Sequence, residues 1–179
     1  MKQIWLSFLT FAMLALCVIA KAQDYQPPHD YSLKFGIDYA PYEQDVIKTL
    51  NWLETRPLDK DPEKHKDAYR FLFQWVNGAP NVHVQIYSEM MNLKVEKNFP
   101  LLVFYMAGWS RYELTHTDKP DTIQACLAGL QSLFIAYKGY KAGQGILKDK
   151  KVEKLMAMNS QELQQWAEER KNNFVKGGK

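Results

Sequence analysis

Cysteine is scarce in this sequence, and its scarcity excludes a disulfide framework. Only Cys17 and Cys126 occur among the 179 residues, and Cys17 lies in an N-terminal segment that we expect to be removed. The mature chain would keep Cys126 alone, so no disulfide could form within it. Because Cys126 falls inside an apolar helical pattern, we expect it to be buried and unreactive.

An excess of charge of one sign is also missing. The chain has 23 Lys and Arg residues against 20 Asp and Glu residues, which gives a formal net charge of +3. Removal of the first 22 residues would take away Lys2 and Lys21 and no acidic residue, and would lower the charge to +1. A charge so close to zero gives no support to nucleic-acid binding.

Long apolar runs are confined to the N-terminus. Lys2 precedes an apolar run at residues 4–20, and Ala20-Lys21-Ala22 forms a small-x-small cleavage site. This pattern predicts a signal peptide at residues 1–22, cleaved before Gln23, and export to the periplasm or the extracellular space. The run is short for a membrane anchor, so we expect no transmembrane segment in the mature chain. Lipidation of Cys17 is disfavoured, because Leu16 is larger than the small residue that precedes the cysteine in bacterial lipoprotein signals.

No recognised catalytic, cofactor or metal motif occurs in the sequence. The chain has no Gly-x-Ser-x-Gly elbow and no phosphate-binding glycine loop, and its four histidines stand in no zinc-ligand spacing: His29, His65, His83 and His116. Asp61 and His65, with Asp67 nearby, could be weak metal ligands, but they are more typical of a charged first turn of a helix. We therefore predict no metal site and no cofactor, and we assign no catalytic residue.

Hydrophobic periodicity predicts a mainly α, single-domain bundle of about five to six helices. Residues 23–40 would form an extended N-terminal segment, residues 41–171 the helical domain and residues 172–179 a flexible tail. Six helices are expected, at residues 41–55, 61–78, 98–115, 118–138, 149–158 and 161–171. Asn98 starts the third, which ends at the turn of residues 115–120. The other expected starts are near Asp61, Asp118, Asp149 and Ser160, and Gly139 is expected to end the fourth helix. Residues 31–39 and 82–87 alternate apolar with polar side chains. They leave open a minor two-stranded β ribbon or two extended segments without a ladder.

A central helical hairpin is predicted at residues 99–140. Its second helix has a stripe of large residues, Ile123, Leu127, Leu130, Phe134 and Tyr137, and a stripe of small ones, Ala125, Gly129, Ser132 and Ala136. Large side chains fill a core, whereas small ones allow a neighbouring backbone to approach closely. We therefore expect this helix to lie at the centre of the domain.

Two groups of residues are candidates for ligand contact. Tyr105, Trp109 and Tyr112, with Arg111, lie near the C-terminal end of the first hairpin helix, and Trp109, Arg111 and Tyr112 are the predicted ligand-binding residues. Aromatic rings bind apolar faces such as those of sugars, and Arg binds carboxylates, although three aromatics at helical spacing are also typical of a core. The second group is a basic run that could contact anionic lipid, polysaccharide or an acidic partner, unless it is a solvated surface: Lys138, Lys141, Lys148, Lys150, Lys151 and Lys154.

Four stretches resemble small exported bacterial proteins of unassigned function. They are Phe71-Leu72-Phe73-Gln74-Trp75, Ala79-Pro80-Asn81-Val82, Pro100-Leu101-Leu102-Val103-Phe104-Tyr105-Met106-Ala107-Gly108-Trp109 and Leu127-Ala128-Gly129-Leu130. The resemblance covers roughly residues 65–165 and depends on core residues. It implies export and a shared helical fold, and it implies no activity.

These patterns favour a non-enzymatic binding or interaction module of the cell envelope, because the core is rich and no titratable groups converge. The partner would be an unknown protein or a small ligand. One alternative is a hydrolase or transferase whose site is assembled from distant residues such as His83, His116, Glu113 and Arg111. The other alternative is a structural protein that takes part in envelope assembly.

Overall fold

A computed structural model describes residues 25–56, 61–91, 95–142 and 148–177. The predicted signal peptide with Cys17, and the glycine-bearing connector at Gly143 and Gly145, lie outside the described residues. The described chain contains seven α-helices, five of them long: α1 (Glu43–Thr55), α2 (Pro62–Gly78), α3 (Ser88–Met91), α4 (Val95–Thr115), α5 (Thr122–Ala142), α6 (Lys150–Met156) and α7 (Ser160–Gly177). No β-strand occurs in it, so the predicted mainly α, single-domain bundle is confirmed.

The α4–α5 hairpin forms the centre of the domain, as predicted. Helix α5 contacts α4 along its length and also contacts α1 and α7. The small stripe of α5 faces α4: a Cβ added at Gly129 would lie 2.7 Å from the Tyr105 carbonyl oxygen, and one added at Gly108 would lie 2.7 Å from the Ala128 carbonyl oxygen. These two glycines therefore let the helix backbones approach closely. Cys126 is fully buried in the same hairpin, as expected.

Helix α2 begins where the sequence predicts. Asp61 is its N-cap, since the carboxylate accepts a hydrogen bond from the Lys64 backbone N–H at 3.3 Å, and Pro62 occupies the first helical position. The helix buries one apolar face, made by Ala68, Phe71, Leu72, Trp75 and Val76. Asp149 caps α6 in the same way, through the backbone N–H groups of Lys151 and Val152.

Several predicted helix ends are wrong. Helix α4 starts at Val95, before Asn98, and α5 starts at Thr122 because Asp121, not Asp118, accepts the backbone N–H groups of Ile123 and Gln124. Gly139 does not stop α5, which continues to Ala142. Asn159 caps α7 in place of Ser160, by accepting from the backbone N–H groups of Gln161 and Glu162. Helix α7 also extends beyond 171 to Gly177, where Phe174 packs edge-on against Tyr87 with ring centroids 6.1 Å apart.

Residues 31–39, the first of the two candidate strands, do not form a strand. The Asp38 carboxylate accepts hydrogen bonds from the backbone N–H groups of Lys34 and Phe35, both at 2.9 Å, and closes a turn that continues as a 3₁₀ helix at Gly36–Asp38. As a result the alternating apolar side chains do not share one buried face. Phe35 and Ile37 are 71% and 82% exposed, whereas Tyr31, Leu33 and Tyr39 pack against the core.

The second candidate strand is extended but has no ladder partner in the described chain. It is held along α4 by two hydrogen bonds: the Tyr105 hydroxyl donates to the Gln85 carbonyl oxygen at 3.0 Å, and the His83 backbone N–H donates to Glu113 Oε2 at 3.0 Å. The alternative of an extended segment without a ladder therefore describes residues 82–87.

Candidate functional site

The three predicted ligand-binding residues of α4 face different neighbours. Trp109 is 1% exposed, and its indole Nε1–H donates to Glu113 Oε1 at 2.7 Å, one helical turn away. Its ring packs edge-on against Tyr105, with centroids 6.0 Å apart. Trp109 is thus largely a core residue with one satisfied polar atom.

Arg111 lies at the junction of α1, α4 and α5. Its guanidinium forms a bidentate ion pair with Glu54, donates to Asn51 Oδ1 at 2.6 Å and donates to the Ser132 hydroxyl at 3.2 Å. Partners on α1 and α5 therefore fix the position of the guanidinium, and these contacts connect the three helices.

Tyr112 stacks on His116 at the end of α4. The ring centroids are 4.2 Å apart and the planes differ by 14°, while His116 Nδ1 lies 3.0 Å from the Tyr112 carbonyl oxygen. This pair is separate from the neighbours of Trp109 and Arg111. The structure does not bring the three predicted residues into one pocket.

A cleft of about 410 Å³ lies beside Trp109 and includes two of the four residues proposed for an assembled catalytic site. It is lined by Glu43, Asn81, Val82, His83, Gln85, Trp109, Glu113, Leu114, Thr117, Pro120 and Thr122. His116 and Arg111 are not among the described residues that line it. Both carboxylate oxygens of Glu113 already accept hydrogen bonds, from Trp109 and from the His83 backbone. The arrangement favours a structural role for Glu113, because its carboxylate fixes the 82–87 segment on α4.

The residues considered as metal ligands are engaged in other contacts. The Asp61 carboxylate caps α2, His65 is buried with its ring 4.6 Å from that of Trp52, and Asp67 pairs with Arg70 at 3.0 Å. In the parts of the chain that the structure describes, no three side chains of His, Cys, Asp or Glu are grouped closely enough to hold a metal ion.

A groove of about 640 Å³ lies between the N-terminal segment and α2, and we call it the N-terminal groove. Its lining consists of aromatic, amide and small residues with one cation and no carboxylate: Tyr31, Ser32, Leu33, Lys34, Tyr39, Phe73, Gln74, Asn77 and Gly78. A volume of this size lies within the usual range of ligand pockets, about 300–1,000 Å³.

The walls of the N-terminal groove are fixed by hydrogen bonds. The Tyr39 hydroxyl donates to the Leu33 carbonyl oxygen at 3.2 Å, and the Trp75 indole donates to the Tyr39 carbonyl oxygen at 3.0 Å. Partial burial raises the pKa of Tyr31, so its hydroxyl stays protonated and donates to Gln74 Oε1. A ligand would therefore meet a wall that is already ordered.

Two amide groups in the N-terminal groove retain free hydrogen-bonding capacity. Gln74 uses Oε1 to accept from Tyr31, and Asn77 uses Nδ2 to donate to the Phe73 carbonyl oxygen at 2.8 Å. Gln74 Nε2 and Asn77 Oδ1 have no partner among the described residues, and they lie three positions apart on α2. The two amides thus offer a donor group and an acceptor group, which match the C=O and N–H of a polypeptide backbone.

Phe35 and Ile37 lie on the turn that begins at Lys34, a residue that lines the N-terminal groove. They are two of the four large apolar side chains that are exposed in the described chain. Their exposure is not apparent from the sequence, because the alternation of residues 31–39 is typical of a strand. Gly36, Asp38 and Pro41 were the signals that could have indicated a turn, since Gly and Asp favour turns and Pro interrupts strands.

Comparisons with protein-family models, curated proteins and solved structures found no match to this chain. Within the described residues, no helix combines the length and the apolar composition needed to cross a bilayer.

Proposed function

We propose that this protein is a non-enzymatic binding module of the cell envelope that holds an extended segment of a partner polypeptide in the N-terminal groove. The observation that carries the proposal is the pair Phe35 and Ile37, 71% and 82% exposed on a hydrogen-bonded turn beside the groove. Solvent-exposed apolar groups that cluster at a concave surface mark interaction sites. The predicted signal peptide supports placement in the envelope.

The composition of the N-terminal groove supports a polypeptide ligand. Tyr and Phe are enriched in protein interfaces, where buried aromatic side chains contribute much of the binding energy. Tyr31, Tyr39 and Phe73 supply such surface, and the free amide atoms of Gln74 and Asn77 can pair with a peptide backbone. The absence of a carboxylate from the lining also argues against a cationic small molecule as the ligand.

An enzymatic role draws less support from the geometry. His83 and Glu113 meet through the His83 backbone, and Arg111 and His116 are held by partners outside the cleft. General acid–base chemistry needs side-chain groups within hydrogen-bond reach of the reacting atoms. A structural assembly role would use the same N-terminal groove with a permanent partner.

Site-specific photocrosslinking in the producing cell tests the proposal. A photoreactive phenylalanine analogue replaces Phe35 or Ile37 in turn, and the matched control carries it at Gln131, an exposed position on α5. We expect the same partner adduct from positions 35 and 37 and none from 131. Loss of that adduct on Gln74→Ala would place the partner in the groove.

Affinity gives a second measure once the partner segment is known. Phe35→Ser should weaken binding by about 2 kcal/mol, the scale of an interface hot spot, which is about 30-fold in Kd. Adducts that are identical from positions 35 and 131, or binding that is unaffected by Phe35→Ser, would contradict the proposal.

A further inference from the structure

A second groove lies between α6 and α7, and its lining combines cations with apolar side chains. It has a volume of about 230 Å³ and is lined by Lys151, Lys154, Leu155, Met158, Trp166 and Arg170. We call it the basic groove. Three of its six residues are cationic, three are apolar and none is acidic.

The acidic residues that interrupt the basic run in the sequence do not line this groove. Asp149 is buried at the start of α6, where its carboxylate caps the helix. Glu153 faces α5, because its carboxylate accepts a hydrogen bond from the Tyr137 hydroxyl at 3.3 Å. The carboxylate also forms an ion pair with Lys148 at 3.6 Å. The charge of the groove is therefore more positive than the sequence composition suggests.

Lys151 and Lys154 lie on the same side of the chain as Leu155 and Met158, the apolar residues of this wall of the groove. Lys151, Lys154 and Leu155 lie at i, i+3 and i+4 on one face of α6, and Met158 follows just after the end of the helix. Lys151 and Lys154 are exposed and form no ion pair with any described residue. Their charges are therefore available to an anion.

Arg170 is positioned over an aromatic ring at the opposite wall. Its guanidinium carbon lies 5.3 Å from the centroid of the Trp166 ring, and that ring packs edge-on against Tyr87 at 6.1 Å. Glu169 Oε2 lies 3.8 Å from Arg170 Nη1 in an exposed ion pair. Arg170 also lines an adjoining concavity of about 240 Å³ with the half-exposed Phe174.

This chemistry fits an anionic amphiphile better than a sugar or a peptide. Trp166 cannot stack on a sugar, because it is buried and already covered by Arg170. The lining has no amide or hydroxyl side chain to pair with a peptide backbone. An anionic head group beside Lys151 and Lys154, with apolar atoms against Leu155 and Met158, satisfies both parts of the lining.

We propose that the basic groove docks the protein on the surface of an anionic phospholipid bilayer. A volume of about 230 Å³ lies below the usual range for an enclosed small-molecule ligand, so the groove can hold a head group and the adjoining atoms of a lipid whose chains stay in the bilayer. The phosphate lies between Lys151 and Lys154, and Phe174 contacts the apolar boundary. This site is independent of the N-terminal groove.

Vesicle cosedimentation tests the proposal with the secreted form purified from the producing cell, which carries the native N-terminus. The probes are phosphatidylcholine vesicles and phosphatidylcholine vesicles that contain phosphatidylglycerol. A basic residue near an anionic bilayer strengthens binding by about fivefold, so Lys151→Gln with Lys154→Gln should lower the partition coefficient by about 25-fold. The charge-matched control is Lys48→Gln with Lys66→Gln, two exposed lysines of α1 and α2, which should leave it almost unchanged.

Salt dependence and a soluble fatty acid distinguish docking on an anionic bilayer from apolar adsorption and from binding of a dispersed amphiphile. We expect binding to anionic vesicles to fall as salt rises, and binding to phosphatidylcholine vesicles to be weak. Thermal unfolding of the two double variants should match that of the native protein, because all four lysines are exposed. Equal loss of binding in both double variants, equal binding to both vesicle types, or binding of dispersed octanoate without vesicle binding would overturn the proposal.

Discussion

Arg111 and Glu54, which are 57 positions apart in the chain, form a bidentate ion pair that joins α4 to α1. Arg111 Nη1 lies 2.7 Å from Glu54 Oε2, and Nη2 lies 3.1 Å from Oε1. The side chains are 23% and 10% exposed, and Ser132 of α5 accepts a further hydrogen bond from Arg111. The pair thus connects three helices at a site that is partly shielded from water.

Arg111→Gln should destabilise the fold, because it leaves the Glu54 carboxylate charged and poorly solvated. Breaking a fully buried pair costs about 3–5 kcal/mol and an exposed pair about 0–1 kcal/mol, so we expect about 2 kcal/mol at this partly buried site. Urea unfolding measures the change. Addition of Glu54→Gln should restore part of the loss, since the two changes are coupled.

The exposed pair of Lys66 and Glu63 provides the control for Arg111. Their side chains are 63% and 80% exposed, and Lys66→Gln should change the free energy of unfolding by less than about 0.5 kcal/mol. If Arg111→Gln costs no more than Lys66→Gln, the interhelical pair does not stabilise the fold.

Gly129→Ala should destabilise the fold despite the higher helix propensity of alanine. A Cβ at Gly129 would lie 2.7 Å from the Tyr105 carbonyl oxygen and 2.8 Å from Tyr105 Cδ2, so the α4 and α5 backbones would have to separate. We expect a net cost of about 1–3 kcal/mol by thermal or urea unfolding, and a larger cost for Gly129→Leu.

Gly139 offers a matched control on the same helix. A Cβ at this position would meet nothing within 4 Å, so Gly139→Ala should stabilise α5 by about 0.5–1 kcal/mol through helix propensity alone. Two alanine substitutions with the same sign of effect would mean that the small stripe does not set the distance between the helices.

The sequence predicts the helices and the close packing of α5, because these depend on local patterns. Asp61 with Pro62 fixes the start of α2, and the small stripe identifies the face of α5 that contacts α4. Caps that compete within a few residues, such as Asp118 and Asp121, cannot be ranked without the tertiary contacts of the turn.

The candidate sites are harder to predict, because they depend on distant contacts. The alternation at residues 31–39 suits a strand only if a partner strand exists, and here Asp38 closes a turn instead. Likewise, nothing near Arg111 in the sequence shows that Glu54 is its partner. The basic run was visible in the sequence, whereas the orientation of Glu153 away from the groove was not.

The stability of the protein should fall between pH 9 and 11 through the titration of Cys126. Burial raises the pKa of this thiol from 9.0 to about 11, and the Tyr105 hydroxyl lies 3.6 Å from its sulfur. The unfolded chain loses the thiol proton near pH 9 while the folded chain retains it, so rising pH favours the unfolded state. The loss is on the order of 2 kcal/mol.

Comparison with Cys126→Ala isolates the thiol from the other groups that titrate at alkaline pH. From pH 9 to 11, the free energy of unfolding of the native protein should fall relative to that of the variant. A difference that is constant with pH would show that the thiol does not contribute. Native Cys126 should also resist alkylation at pH 8 and react fully in denaturant.

Asp38→Ala should disorder the turn that presents Phe35 and Ile37 without unfolding the bundle. The Asp38 carboxylate accepts the backbone N–H groups of Lys34 and Phe35, and neither the turn nor these side chains belong to the buried core. Hydrogen exchange should therefore show faster exchange at the amides of residues 34 and 35, with the free energy of global unfolding changed by less than about 0.5 kcal/mol. Asp38→Asn is the control, because its amide oxygen can still accept and should retain part of the protection. If the two variants exchange these amides at the same rate, the carboxylate does not hold the turn, and Phe35 and Ile37 are not preorganised for a partner.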